Sequence, residues 1–219
     1  MTYKKRMFYY IIGLNLLACG IIFNTRSGLG VAAFASVYYA LMHITHLTLG
    51  MASIAVYAVL ILVQLMITKK MTLAIALQIP FSFLFGFITD FYNAVIPFQA
   101  HSVFVSIMLL TLGLLFSSFG VYLYAGSQIV NTPVEGTITT ISTHFHLRFS
   151  LVKNFFDLTM FLVTIIMCLI LRVPFYGIGI GTVICALLQG RIIALCEDKL
   201  DLFHITPATH YDEKKEVSA

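Results

Sequence analysis

The stretch "NTPVEGT", residues 131–137, interrupts a long apolar sequence with a proline, a glutamate and a glycine. A lipid-facing helix would be weakened by all three, so the break needs a reason. Thr132 fits an N-cap, and Pro133 fits the first helical position, where a missing N–H leaves nothing unsatisfied. Glu135 stands three residues after Thr132 and can reach back to its N–H, which is the pattern of a capping box. A helix is therefore expected to start at Pro133, just after the preceding one ends near Gly126. Two readings of that start stay open. It is either a capped end at an aqueous surface, or a place where free N–H groups and the positive end of the helix dipole meet a solute or ion. In the second reading Asn131, Thr132 and Glu135 are candidate binding residues. Downstream, Thr137, Thr139, Thr140, Ser142 and Thr143 supply hydroxyls that bond to neighbouring helices or line water.

Composition sets the class. The chain has 219 residues, 60% of them hydrophobic and only 10% charged, with mean hydropathy +0.97. A soluble domain carries roughly 25% charged residues. The net charge of +4 comes largely from flanking groups, Lys4-Lys5-Arg6, Lys69-Lys70 and the tail, as on cytoplasmic loops. There is no basic-aromatic stripe for a nucleic acid. Cys19, Cys168, Cys185 and Cys196 form no CxxC pair and sit in apolar runs, so they are expected to pack as small hydrophobes. The basic start followed by "MFYYIIGLNLLACGIIF" resembles a signal peptide, but more apolar segments follow and it reads as the first span.

Apolar segments run at 7–24, 30–44, 49–67, 72–89, 102–125, 133–145, 150–171 and 175–196, and residues 197–219 form a polar tail. Identities recur at an offset of 100: Gly13-Leu14 with Gly113-Leu114, Gly20 with Gly120, Ser27 with Ser127, His46-Leu47 with His146-Leu147, and Leu62-Val63 with Leu162-Val163. Residues 1–98 and 101–196 are therefore expected to be two copies of one unit. Segment 133–145 would be roughly 20 Å long as a helix, too short for a hydrocarbon core of about 30 Å. Segment 30–44 is similarly short. If both are half-helices and six segments span, with the N-terminus inside, only Arg26 and Arg172 of the 13 Lys and Arg lie outside. With eight spans Lys69 and Lys70 join them, so the positive-inside bias favours six. Each copy then crosses three times and the second is inverted, an architecture used by many secondary transporters.

Other polar residues are weighed against this frame. In "NTRSGLGVAAFASV", Gly28 and Gly30 permit a close turn, and Arg26 stands at its mouth, as a partner for an anion or as an interfacial arginine. Lys153 and Asp157 share a helix face, which extends to Thr164 and Cys168. Ser53, Tyr57, Gln64 and Thr68 form the matching stripe of the first copy. A charge inside a membrane costs at least about 2.5 kcal/mol unless paired or hydrated, so Asp157 is expected to face the bundle interior, with Lys153 and Asn154 beside it. Asp90 reads as a loop-edge residue. His43, His46, His144 and His146 end the two short segments without a shared metal site. "GIGIGT", residues 177–182, lacks the Lys of a phosphate loop and suits close packing by small residues. No catalytic constellation and no cofactor or metal motif stands out, so an enzyme is not expected.

"TRSGLGVAAFASV", "NTPVEGT" and "GIGIGTVICALLQGRI" together resemble the YczE/YyaS/YitT group of bacterial integral membrane proteins, nearest its YczE-like branch. That resemblance implies a multi-pass protein of the bacterial plasma membrane. Where the group has a first Pro-Trp-Asp-like motif, this chain has Ala33-Phe34-Ala35. Pro133-Val134-Glu135-Gly136 keeps the second motif, with Glu for Asp. One of two symmetric carboxylates is thus absent.

The expectation is an all-α polytopic bundle of about six full spans plus two half-helices, with cytoplasmic termini and a flexible tail. It moves a small solute or ion through a site built from Glu135, Asp157, Arg26, Lys153, Thr132 and Asn131. The alternatives are the substrate-binding membrane subunit of a vitamin-type ATPase-driven transporter, or an accessory protein without flux. Expected partners are the lipid bilayer, the solute, and a second copy or a partner subunit.

Overall fold

A computed structural model describes residues 2–200 and Leu202. Eight helices are described: α1 (Tyr3–Ser27), α2 (Ala33–Thr45), α3 (Leu49–Thr68), α4 (Leu73–Val95), α5 (Val103–Ser127), α6 (Pro133–Phe145), α7 (Phe149–Ile170) and α8 (Ile180–Leu200). Six contain a stretch long and apolar enough to cross a membrane, and α2 and α6, each of 13 residues, are the exceptions. The polar tail expected from residue 197 lies outside the described residues, apart from the last turn of α8 and Leu202.

The helix limits follow local chemistry. Thr48, Thr72, Ser102 and Thr132 each accept a backbone N–H at the start of a helix, as N-cap hydroxyls do. Gly28 ends α1 in the left-handed conformation at φ 69°, which costs glycine little. His46 and His146 hold that same conformation where α2 and α6 end, at φ 58° and 54°. α4 continues through Pro80.

Helix limits also recur one hundred residues apart: α5 begins and ends 100 residues after α1, and α6 does so after α2. The packing is reciprocal in the same sense. A Cβ on Gly13 would lie 2.8 Å from Gly120 O, and one on Gly120 would lie 2.7 Å from Gly13 O. Gly20 and Gly113 repeat the relation at 2.8 Å in both directions. Rising numbers in α1 meet falling numbers in α5, so the two helices run antiparallel, backbone against backbone. In lipid there is no water to drive helices together, and such small-residue contacts supply the packing instead. α2 packs on α7 as α6 packs on α3, and α1 on α4 as α5 on α8.

One correspondence fails. α3 lies along α4, with Gly50 against Gly86 and Ile54 over Gly86. Asp90 closes that contact, accepting 2.7 Å from Gly50 N–H and 2.6 Å from the Thr48 hydroxyl. It therefore holds the start of α3, a role that its position at the end of an apolar segment did not announce. Among the described residues α7 and α8 do not pack together in this way, and a cavity lies between them.

Candidate functional site

The cavity has a volume of about 310 Å³, at the small end of ligand sites. Both short-helix starts line it: Val31 to Ala35 for α2, and Thr132, Val134 and Glu135 for α6. α7 contributes Lys153, Asn154 and Asp157, α8 contributes Cys185, Gln189 and Gly190 among others, and Asn24, Ser117 and Tyr124 come from α1 and α5.

Two devices hold the helix starts in place. Before α2, Val31 N–H donates 2.9 Å to Gly177 O, and Gly181 N–H donates 2.8 Å to Leu29 O. Gly179 and Gly181 lie so close to the 29–30 backbone that a Cβ would not fit. The "GIGIGT" segment thus packs by small residues, as its sequence suggested. At α6, Gln64 and Gln78 form a buried reciprocal amide pair at 2.8 and 3.0 Å. Gln64 Nε2 also donates to Thr137 Oγ1 at 3.2 Å and to Pro133 O at 3.3 Å, and Gly136 leaves room for both amides. At α2, Ser36 and Thr164 of α7 meet hydroxyl to hydroxyl at 2.8 Å. The polar stripes of α3 and α7 therefore each anchor a short helix.

The two starts differ chemically. At α6, Thr132 Oγ1 accepts from Glu135 N–H at 3.3 Å, and the Thr132 hydroxyl donates to Glu135 Oε2. The carboxylate thus folds back onto its capping partner, as the sequence pattern suggested, and takes the Thr132 hydroxyl as well as the backbone of that residue. The Tyr124 hydroxyl donates to the other oxygen, Oε1, at 2.5 Å. Among the described residues Glu135 forms no ion pair. At α2, Ala32 caps with no side-chain bond. Among the described residues the N–H groups of Ala33, Phe34 and Ala35 meet no acceptor. Ala35 occupies the position equivalent to Glu135, so the slot that a carboxylate fills in α6 stays open in α2.

An aromatic wall stands beside both starts. Phe34 stacks on Tyr57 with ring centres 5.8 Å apart, and it packs edge-on against Tyr38 at 5.6 Å. Tyr38, Tyr57 and Tyr124 are all buried and line the cavity. Among the described residues the Tyr38 and Tyr57 hydroxyls have no hydrogen-bond partner. Asn24 Oδ1, buried against Gly113, likewise has none.

The expected site residues separate. Glu135, Thr132, Lys153 and Asp157 come together at the cavity, with Asn154. Asp157 is not deep in the bundle: it pairs with Lys153 at 3.3 Å, and the two side chains are 34% and 49% exposed. An open pair of this kind contributes at most about 1 kcal/mol. Arg26 is elsewhere. Its Nε donates 2.7 Å to Ile96 O, and Nη2 donates 2.9 Å to Asn93 O and 2.7 Å to Asn93 Oδ1. It fastens the end of α4, satisfying carbonyls that a helix C-terminus leaves free. Asn131 is exposed and outside the lining. Tyr38, Tyr124 and Phe34 were missed as wall residues, and Tyr57 was read only as part of the α3 polar stripe, because an aromatic in an apolar run looks the same whether it faces a core or a cavity.

Two curated relatives come from Bacillus subtilis (strain 168). "Uncharacterized protein YyaS" is 25% identical over 84% of this chain and 89% of its own length. "Uncharacterized membrane protein YczE" is 26% identical over 86% of this chain and 83% of its own. No solved structure matches. With six apolar helices of spanning length and a relative named as a membrane protein, this is a membrane protein. The description "Family of unknown function (DUF6198)" matches residues 4–198, and the chain belongs to that family.

Proposed function

We propose that the protein carries a small solute across the bacterial plasma membrane by alternating access to the cavity between the starts of α2 and α6. The observation that carries this reading is the failed correspondence: α3 is closed on α4, whereas α7 stands away from α8 with the cavity between them. Two copies of one unit in different conformations give a means of exchange. If α7 closes on α8 while α3 parts from α4, the same cavity opens on the other side. The antiparallel, reciprocal glycine contacts of α1 and α5 support an inverted relation of the copies, and such an inversion makes the two states near mirror equivalents.

In this arrangement both termini are cytoplasmic, and Arg6, which donates 2.8 Å to Ser127 O, marks that face. α2 and α6 are half-helices whose N-termini meet at mid-depth. Broken helices of this kind are tolerated in a bilayer where they line a polar cavity.

The test is uptake of a mixture of isotope-labelled small metabolites into proteoliposomes, read by mass spectrometry, with wild type against Ala35→Phe. Ala35 is 4% exposed and lines the cavity, so a phenyl ring there fills it. Compounds accumulated by wild type and not by the variant support carriage. Identical accumulation in both would contradict it.

A further inference from the structure

Resting on the reading that this cavity holds a solute, we propose that the solute is a small organic cation with an oxygen acceptor at its far end. Glu135 and the aromatic wall hold its positively charged nitrogen, and the open start of α2 meets the acceptor.

Charge is the first ground. The acidic and basic side chains of the lining are two carboxylates, Glu135 and Asp157, against one ammonium, Lys153, a formal balance of −1. Lys153 pairs directly with Asp157 at 3.3 Å and acts on Glu135 only at longer range, so Glu135 faces the cavity without an ion pair of its own among the described residues. A charge away from water is stabilised only by a partner charge and hydrogen bonds. Tyr124 and Thr132 supply the hydrogen bonds, and a cationic solute supplies the charge. Each carboxylate oxygen has a lone pair to spare for it.

The kind of cation follows from the wall. A bare metal ion takes a shell of oxygens, whereas Phe34, Tyr38 and Tyr57 offer ring faces and edges beside Glu135. Ring faces attract ammonium groups whose charge is spread over carbon-bearing nitrogen. The far end is fixed by donors. The N–H groups of Ala33, Phe34 and Ala35, with the Tyr38 and Tyr57 hydroxyls, present donors and meet no acceptor among the described residues. A wholly apolar end would leave them unsatisfied. A free anion would suit these donors but would meet the two carboxylates. One molecule with a cationic head and a hydroxyl, carbonyl or carboxylate oxygen satisfies both ends.

The experiment is thermal unfolding of the purified full-length protein in detergent, titrated with choline chloride, tetramethylammonium chloride and sodium propionate. A ligand bound to the folded state raises the midpoint by mass action. Choline is expected to do so saturably, tetramethylammonium about tenfold more weakly for want of the acceptor, and propionate not at all. Phe34→Leu should weaken choline by about tenfold. Glu135→Gln, which keeps an acceptor for Tyr124, should abolish the shift. If Glu135→Gln does not fold, the Phe34→Leu titration decides. Stabilisation by propionate and not by choline would overturn the cationic class while leaving the cavity a solute site. Three silent probes would also overturn the class. With an Ala35→Cys side chain still reachable from both membrane faces the access reading survives, and with that side chain unreachable from either face both fall.

Discussion

The Tyr124 hydroxyl donates a 2.5 Å hydrogen bond to Glu135 Oε1, joining the last turn of α5 to the first turn of α6. The bond fixes a carboxylate at the cavity and relieves a tyrosine that is only 3% exposed. Glu135→Ala leaves that hydroxyl and the Thr132 hydroxyl without an acceptor, and should cost about 1–3 kcal/mol in stability. Glu135→Gln should cost less, because its amide oxygen still accepts. Thermal unfolding in detergent, with uptake measured in parallel, separates the roles. Near-native stability with lost uptake is expected for Glu135→Gln.

Arg26 should prove structural. Arg26→Ala removes donors to Asn93 and Ile96 and is expected to lower stability by about 1–3 kcal/mol. In the protein that remains folded, the affinity for any cavity ligand should stay within about twofold of wild type, since Arg26 is outside the lining and distant sites act independently. A tenfold loss of affinity would place it back in the site.

The α1–α5 contact should behave as one unit. Gly13→Ala sets a Cβ 2.5 Å from Tyr124 N, and Gly120→Ala sets one 2.5 Å from Leu17 N. Each overpacks a backbone contact, at about 1–3 kcal/mol. Since either change forces the same helices apart, the double variant should cost clearly less than the two single losses together, as residues sharing a contact do. Full additivity in a double-mutant cycle would contradict the packing.

Gln64 and Gln78 satisfy one another in the core. Gln64→Leu should cost about 1–3 kcal/mol, because it orphans the Gln78 amide, and adding Gln78→Leu should recover much of that loss. Equilibrium unfolding of the two variants checks the sign of the recovery.

Much of this fold was legible in the residues. Six long apolar runs and two short ones became six long helices and two short ones. The limits 133–145 matched α6, because Thr132, Pro133 and Glu135 state a helix start chemically. α2 began at Ala33 rather than residue 30, since Gly28 and Gly30 carry positive φ and form a turn. α8 began at Ile180 rather than 175, because the preceding residues dock on Leu29 and Gly30. The site was half legible. Glu135 and Thr132 are local motifs and could be read. Arg26 could not, because its partners lie 67 and 70 residues away and a charged group near a helix end looks alike whether it grips a carbonyl or a ligand. Asp157 drew attention as a charge in a span, but its place in the third turn of α7 sets it beside the half-exposed Lys153 at the cavity.

The most direct test of the central claim is labelling of Ala35→Cys by a membrane-impermeant thiol reagent. It is made in a background with Cys19, Cys168, Cys185 and Cys196 replaced by serine or alanine, and applied to each face of sealed membranes in turn. Alternating access predicts that this one side chain is labelled from both faces, and that a disulfide tying α7 to α8 abolishes labelling from the cytoplasmic face alone. Labelling from a single face with or without the tie, or from neither, would contradict it.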